Sequence, residues 1–221
     1  MDEVTKKWFD PSTVKVVRSP ELEGWHQDED LARLSGAPRG SEVHVATTQA
    51  GVIELRVLNQ DLLSEPLVRS VARTVEGGYV FMIQNRAFVL RPAFRGMGIG
   101  PRSVAIELHE AQRLGYFSKV VVHAVGDWHH RAGESAMNGY YVWAKMGFNA
   151  ALPICYREHP ELPAICRNCR DVVELFATTE GEAFWLRHGS TIKLSFPLEE
   201  SSASWNHYRR YARERGIEVT A

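Results

Sequence analysis

The order of apolar and polar positions sets the first expectations for this chain. Glu42 to Ala46 and Gly51 to Leu58 carry the two-residue period of half-buried strands. Asp61 to Val75 follows with apolar residues at helical spacing and predicts a helix interrupted at Pro66, after which Gly77-Gly78 punctuates the chain. Tyr79 to Ile83 and Ala87 to Leu90 are rich in β-branched and aromatic residues. Separated by Gln84-Asn85-Arg86, they predict two antiparallel strands joined by a short turn. The second strand runs into a stretch dense in glycine, Gly96, Gly98 and Gly100. Beyond it Pro101 takes the first position of a helix, and Val104, Leu108 and Ala111 recur at helical spacing until Gly115 closes the segment. Lys119 to Val125 is a nearly continuous apolar run, the pattern of a strand buried on both faces. The helix Pro101 to Leu114 is then the crossover of a parallel βαβ unit.

Farther along, Glu134 to Met146 predicts a helix that ends at Gly147, and Phe148 to Leu152 a short strand. Pro153 to Arg187 looks inserted and largely helical around Asp171 to Thr178; Thr191 to Phe196 alternates as a strand, and Ser201 to Arg215 is a final helix. Before Ser41, the prolines at 11, 20 and 38 break up an irregular lead-in, residues 1–40, with one short helical pattern at Asp28 to Leu34. The expected class is mixed α/β: one domain over 41–221 with a helical insertion at 153–187.

Composition narrows the class of function. With 26 basic against 27 acidic residues the chain has no overall field to hold nucleic acid or an anionic membrane, so neither is an expected partner. The basic stretch Arg209, Arg210, Arg213 and Arg215 is diluted by Glu214 and Glu218 and reads as the solvated face of the last helix. Met1 to Pro11 lacks an apolar stretch of secretory length and no run approaches a membrane span, which predicts a cytoplasmic protein. An odd count of 3 cysteines agrees with reduced thiols.

The chemistry concentrates in the glycine stretch. A strand that ends in such a turn and opens a helix leaves N–H groups without intrahelical partners, and with the helix dipole these make an anion site. Glycine keeps Cβ atoms out of the way of a pyrophosphate. The spacing G-x-G-x-G differs from the dinucleotide fingerprint G-x-G-x-x-G, and no Gly-Lys-Ser or Gly-Lys-Thr follows for a P-loop.

Leu90-Arg91-Pro92-Ala93-Phe94-Arg95-Gly96-Met97-Gly98-Ile99-Gly100 resembles the acetyl-CoA-binding signature of the GNAT superfamily of N-acetyltransferases, Arg/Gln-x-x-Gly-x-Gly/Ala after a strand. Val142-Trp143-Ala144-Lys145-Met146-Gly147-Phe148 is similar to the element that ends that family's fourth helix. The resemblance covers about residues 41–150 and 190–221. It implies a central, mostly antiparallel twisted sheet with one parallel βαβ unit, flanked by helices. It also implies an acyl-CoA-dependent N-acyltransferase that moves acetyl from acetyl-CoA to a primary amine by direct attack. Leu90, Arg95, Gly96, Met97, Gly98, Ile99 and Gly100 would bind the cofactor, with Asn138 and Trp143 from the later helix. A non-catalytic CoA-binding regulatory module is the alternative, and a homodimer is compatible with either.

Transfer to an amine needs a base, donors for the oxyanion and an acid for the leaving thiolate. The family commonly uses a tyrosine as acid, but the matching position is Trp143, whose indole is a very weak acid. Tyr140, three residues earlier, is the first substitute and Tyr141 the second; both also read as packing residues of an aromatic helix. His123, which interrupts the apolar run near its end, is the candidate base, with Glu54 a weaker competitor and a core histidine the commoner reading. His129, His130 and Arg131 after Asp127 and Trp128 could meet a CoA phosphate or form a polar loop. Cys155, His159, Cys166 and Cys169 have a spacing that could close a zinc site in the insertion. The single C-x-x-C and the intervening prolines favour ordinary thiols, so no metal is assigned.

Overall fold

The computed structural model describes residues 1–73, 79–84, 89–129 and 137–219. The chain divides into two compact units, Met1–Val120 with Ala212–Ala221, and Val121–Tyr211. The fold is mixed α and β, and the described residues form seven strands whose hydrogen-bonded order follows the chain from β1 to β7. Among the described residues no helix is long and apolar enough to cross a membrane.

The lead-in is more regular than its prolines suggest. It holds helix α1 (Glu3–Trp8), strand β1 (Lys15–Arg18) and helix α2 (Asp28–Leu34). Asp2 caps α1 by accepting from the amides of Val4 and Thr5. β1 pairs in parallel with β2 (Glu42–Thr47), so β1-α2-β2 is a parallel crossover unit. Four residues, one exposed and three half-buried, are too few to show a period in the sequence.

β2 runs antiparallel to β3 (Ile53–Leu58), setting Val43 opposite Val57 and Val45 opposite Leu55, all four buried on one face. Next comes a correction. Leu67–Arg73, expected within a helix, is strand β4, antiparallel to β3. Its core-facing residues are Leu67, Arg69 and Val71, opposite Val57, Leu55 and Ile53. An arginine in the middle of the buried row hides the alternation, and the remaining apolar residues fall at helical spacing by accident. β5 (Tyr79–Gln84) continues the antiparallel ladder. The turn expected at 84–86 and the strand at 87–90 lie largely outside the described residues; Leu90 makes an isolated antiparallel bridge to Leu63.

Helix α3 (Ile99–Leu114) ends at Gly115, whose φ of +75° makes the left-handed cap that glycine adopts without strain. Its contact partners include α1 and α2. Arg69 on β4 is 2 % exposed and meets Glu107 of α3, which is 0 % exposed: Nε and Nη2 donate to Oε1 at 2.9 and 2.6 Å. Ser103 donates from Oγ to the carbonyl of Gly36, just beyond α2. β6 (Phe117–Ala124) follows α3. It alternates in burial: Phe117, Val120, Val122 and Ala124 are buried while Ser118, Lys119 and His123 are exposed. The expectation of a strand covered on both faces is thus overturned.

The second unit takes up the end of β6 and continues through α4 (Gly139–Lys145), α5 (Ile154–Arg157), α6 (Val172–Leu175), α7 (Thr179–His188), β7 (Ile192–Pro197) and most of α8 (Ala203–Glu214). The expected helix at 134–146 is described only from Gly139. Phe148–Leu152 forms two isolated bridges, Asn149 to Ser195 and Ala151 to Asp171, where a strand was expected. Residues 153–187 carry α5, α6 and most of α7 with one 3-10 turn at Ala164–Cys166. The core is aromatic: Phe148, Phe196, Trp185, Trp205 and Tyr208 are buried, with Phe196 in edge contact with Trp205 at 5.0 Å.

Glu107 supplies a test of the first unit. Burial raises its carboxyl to about 7 from the ordinary 4.5, and Arg69 and Ser103 pull it back only in part. The folded carboxyl therefore keeps its proton to higher pH than the unfolded one. That contribution to stability is full below pH 4.5 and is lost as pH rises through about 7. Urea midpoints from pH 4.5 to 8 should fall more steeply for the wild type than for Glu107→Gln; parallel profiles would assign the slope to other groups. Glu107→Ala, which leaves Arg69 buried without its partner, should cost about 3–5 kcal/mol.

Candidate functional site

The glycine loop lies wholly in the first unit. From Leu90 the chain passes through a 3-10 turn at Pro92–Phe94 into Arg95-Gly96-Met97-Gly98 and then α3. Gly96 and Gly98 have φ of +78° and +73°, a region that residues with a Cβ rarely adopt, so the backbone itself requires glycine at both. Gly98 is the N-cap of α3 and supplies no side-chain cap. The helix starts at Ile99, two residues earlier than expected, and Pro101 falls inside the first turn, where its missing donor is not needed. Ile99 is fully buried and pins the helix start to the core, whereas Met97 is 49 % exposed. Arg95 is exposed and donates from Nε to the carbonyl of Leu90 at 3.1 Å.

The two left-handed glycines differ in what surrounds them. A Cβ on Gly96 would meet no described atom within 4 Å, while one on Gly98 would stand 2.5 Å from Nη1 of Arg102. The side of the loop above Gly96 is therefore the face a ligand could approach. The side above Gly98 is filled by the protein. Arg102 had no place in the sequence argument, and its only signal there was a charged residue inside the apolar stripe of α3.

Apart from Glu54, the other expected residues of the reaction fall in the second unit. His123 is exposed on β6 and so is not a core histidine. Asn138 is exposed at the N-cap of α4; its carbonyl accepts from the amides of Tyr141 and Val142, and its side chain makes no cap. Tyr140 is 0 % exposed and its hydroxyl donates to the carbonyl of Leu186 at 2.7 Å. Its own carbonyl accepts from Nε1 of Trp185 at 3.0 Å, so Tyr140 sits as a core residue between α4 and α7. Trp143 is half-buried, its ring in edge contact with Phe148 at 5.0 Å.

Tyr141 has different company. Its hydroxyl donates to Glu182, and Lys145, one turn on, donates to Tyr141 at 3.1 Å and to Glu182. Burial, followed by the bond to Glu182, pushes the Tyr141 hydroxyl above its ordinary value, with Lys145 opposing. Burial would raise Glu182, but Lys145 and Tyr141 outweigh it and hold the carboxyl below the usual range. Lys145, lowered by burial, is held above its ordinary value by the same two partners. The cluster thus keeps a neutral phenol beside an ammonium and a carboxylate. Lys145 and Glu182 were not among the expected residues, since 37 positions of sequence separate them.

Glu54 on β3 is taken up by Arg56, which donates from Nη2 at 3.0 Å. Asp127 accepts from the amide of His129 in a local turn, and His130 and Arg131 lie outside the described residues. In the terminal helix Arg209 pairs with Glu200, and Arg210 donates to the carbonyl of Phe176. Among the described residues no three His, Cys, Asp or Glu side chains form a group that could hold a metal. Cys155 is exposed, Cys166 is buried with its sulfur 3.4 Å from the Thr178 hydroxyl, and His159 makes an edge contact with Phe184 and a tilted one with His188. Burial, with Cys166 beside it, pushes the Cys169 thiol up to about 11. Compared with known proteins, the chain matches no family model, no curated protein and no solved structure.

The contrast between the glycines can be measured without a ligand. Gly96→Ala should cost only the left-handed strain, about 1–2 kcal/mol. Gly98→Ala should cost more, because the new methyl displaces a guanidinium held by several hydrogen bonds worth about 1 kcal/mol each. Urea denaturation of the two variants gives the order, and equal losses would remove Arg102 as the reason for Gly98.

Proposed function

We propose that the chain is an acyl-CoA-dependent N-acyltransferase that moves acetyl from acetyl-CoA to a primary amine. One observation carries this reading. The chain runs from an apolar segment through two left-handed glycines into a 16-residue helix without a side-chain cap, and no described atom covers Gly96. Amides at such a helix start are suited to a pyrophosphate, the dipole adding to the attraction. The resemblance of residues 90–100 to the GNAT signature supplies the rest of the argument and names the cofactor.

In this reaction the amine attacks the thioester carbonyl, its proton passes to a base, and the sulfur leaves as a thiol after taking a proton from an acid. Of the tyrosines, Tyr141 has the surroundings of an acid: it stays protonated at neutral pH, beside an ammonium that can stabilise its anion. Tyr140 is occupied in the core and is set aside. His123, exposed on β6, remains the base we would test. A cytosolic location agrees with the free state of all three cysteines. Trp143 at the position of the family's acid favours a second reading, a CoA-binding module without turnover.

Calorimetric titration with acetyl-CoA, together with thiol release against a panel of amines, amino acids, polyamines and peptides, decides between them. Gly96→Trp, which projects a large side chain from the uncovered face, should weaken acetyl-CoA binding at least about tenfold, or 1.4 kcal/mol; unaltered affinity would remove the loop from the site. Tyr141→Phe should lower turnover by roughly 100-fold, within the range of general acid catalysis, with acetyl-CoA affinity unchanged. An unaltered rate would exclude Tyr141, and binding without turnover of any amine would favour the regulatory module.

A further inference from the structure

Arg102 is 7 % exposed and has no part in the transfer chemistry. Its guanidinium serves three separate places in the first unit. Nε lies 3.0 and 3.1 Å from the two carboxylate oxygens of Asp2. Nη1 donates to the carbonyl of Gly98 at 3.2 Å and Nη2 to the carbonyl of Gly216 at 3.0 Å. Asp2 is itself held from two directions. It accepts from the amides of Val4 and Thr5, from the Thr5 hydroxyl and from the amide of Glu218, while its own amide donates to the carbonyl of Glu218. Burial would raise the Asp2 carboxyl, but these bonds and Arg102 hold it far below its ordinary value, so it is charged throughout the neutral range. The turn at 2–5, the segment at 216–218 and the N-cap of α3 therefore meet at one guanidinium.

What this does for the loop follows from the planarity of the peptide. The carbonyl of Gly98 and the amide of Ile99 belong to one rigid unit and point in opposite directions. As the N-cap carbonyl, that of Gly98 points along α3, which directs the N–H of Ile99 the other way, and the bond from Nη1 of Arg102 holds that peptide unit in place. Gly98 leaves room for this contact, since a Cβ there would collide with Nη1. Only a planar fork can hold three acceptors in fixed directions; a lysine ammonium has the charge without the geometry.

We propose that Arg102 is a positioning residue that steadies the Ile99 amide facing the cofactor pyrophosphate by anchoring the N-cap peptide, and that acetyl-CoA affinity consequently depends on docking of the 2–5 turn and the 216–218 segment. The inference rests on the acyl-CoA reading of the loop. It adds a regulatory handle to that site: whatever releases either segment weakens the anion cradle. Coupling is reciprocal, so the cofactor must in turn tighten both segments.

The test compares the acetyl-CoA affinities of wild type, Arg102→Lys, Asp2→Asn and Leu31→Ala by calorimetry, at a temperature where circular dichroism shows all four folded. Arg102→Lys keeps the charge and should bind about tenfold more weakly, and Asp2→Asn should lose affinity in the same direction by a smaller factor. Leu31→Ala opens a cavity at a fully buried position of α2 in the same unit and should bind like the wild type once folded, which separates positioning from stability. Amide exchange at Glu218 should slow with acetyl-CoA in the wild type and respond less in Arg102→Lys. Wild-type binding with unaltered affinity in Arg102→Lys and Asp2→Asn would overturn the positioning role alone. Absence of wild-type binding would overturn the acyl-CoA reading and this inference together.

Discussion

A carboxylate buried against a guanidinium sets the terms for the first unit. Glu107 has no exposed surface, its Oε1 takes two bonds from Arg69, and its Oε2 has no partner among the described residues. Such a pair adds little net stability, because desolvation offsets most of the attraction, but separating it is expensive. α3 can therefore neither roll nor slide on β4 without stranding both charges. Ser103, one turn before Glu107, fixes the same face of the helix to the carbonyl of Gly36, and a Cβ on Gly36 would strike both side chains. Once the azimuth of α3 is fixed in this way, the direction of Arg102 beside Ser103 is fixed too. The helix start inherits its orientation from a charge pair more than a turn away.

That dependence changes what the glycine pattern means. Three alternating glycines look like one motif, yet they answer to different constraints. Gly98 is required by its left-handed backbone and by the guanidinium packed against it, a reason internal to the fold. Gly96 is equally left-handed but has no described neighbour above it, so folding explains its backbone and leaves its uncovered face to a ligand. The case for a phosphate cradle thus leans on Gly96 and on the uncapped amides of the first turn more than on the spacing of the signature.

Much of the chain was legible because its elements bury ordinary apolar rows. β2, β3, α2 and α3 lie within two residues of the ends their patterns predicted, since Val43, Val45, Leu55, Leu31 and Leu108 carry the period. Two of the failures share a cause: a polar residue took a core position, or an apolar one did not. Arg69 inside β4 turned a strand into an apparent helix, and Val121, half-buried between exposed Lys119 and His123, made β6 look covered on both faces. In the candidate site the loop was visible because its chemistry is local. The clusters of Asp2 with Arg102 and of Tyr141, Lys145 and Glu182 were not, because their members are brought together only by tertiary folding across 100 and 37 positions.

The two tyrosines of α4 show how little a helical pattern says about function. Adjacent positions on a helix face about 100° apart, so one of them turns to the core when the other does not. Tyr140 is the one turned inward, and its hydroxyl must find an acceptor there, which Leu186 supplies. Tyr141 is left beside Lys145, one turn on, and Glu182 of α7. Under the proposed function this division matters more than the substitution of Trp143. A phenol donating to a backbone carbonyl in a closed core has no route to reload a proton, whereas Tyr141 has a proton donor beside it in the Lys145 ammonium. Lys145 lowers the cost of a tyrosinate and Glu182 raises it, so the balance between them, rather than either alone, sets how readily Tyr141 would give up its proton.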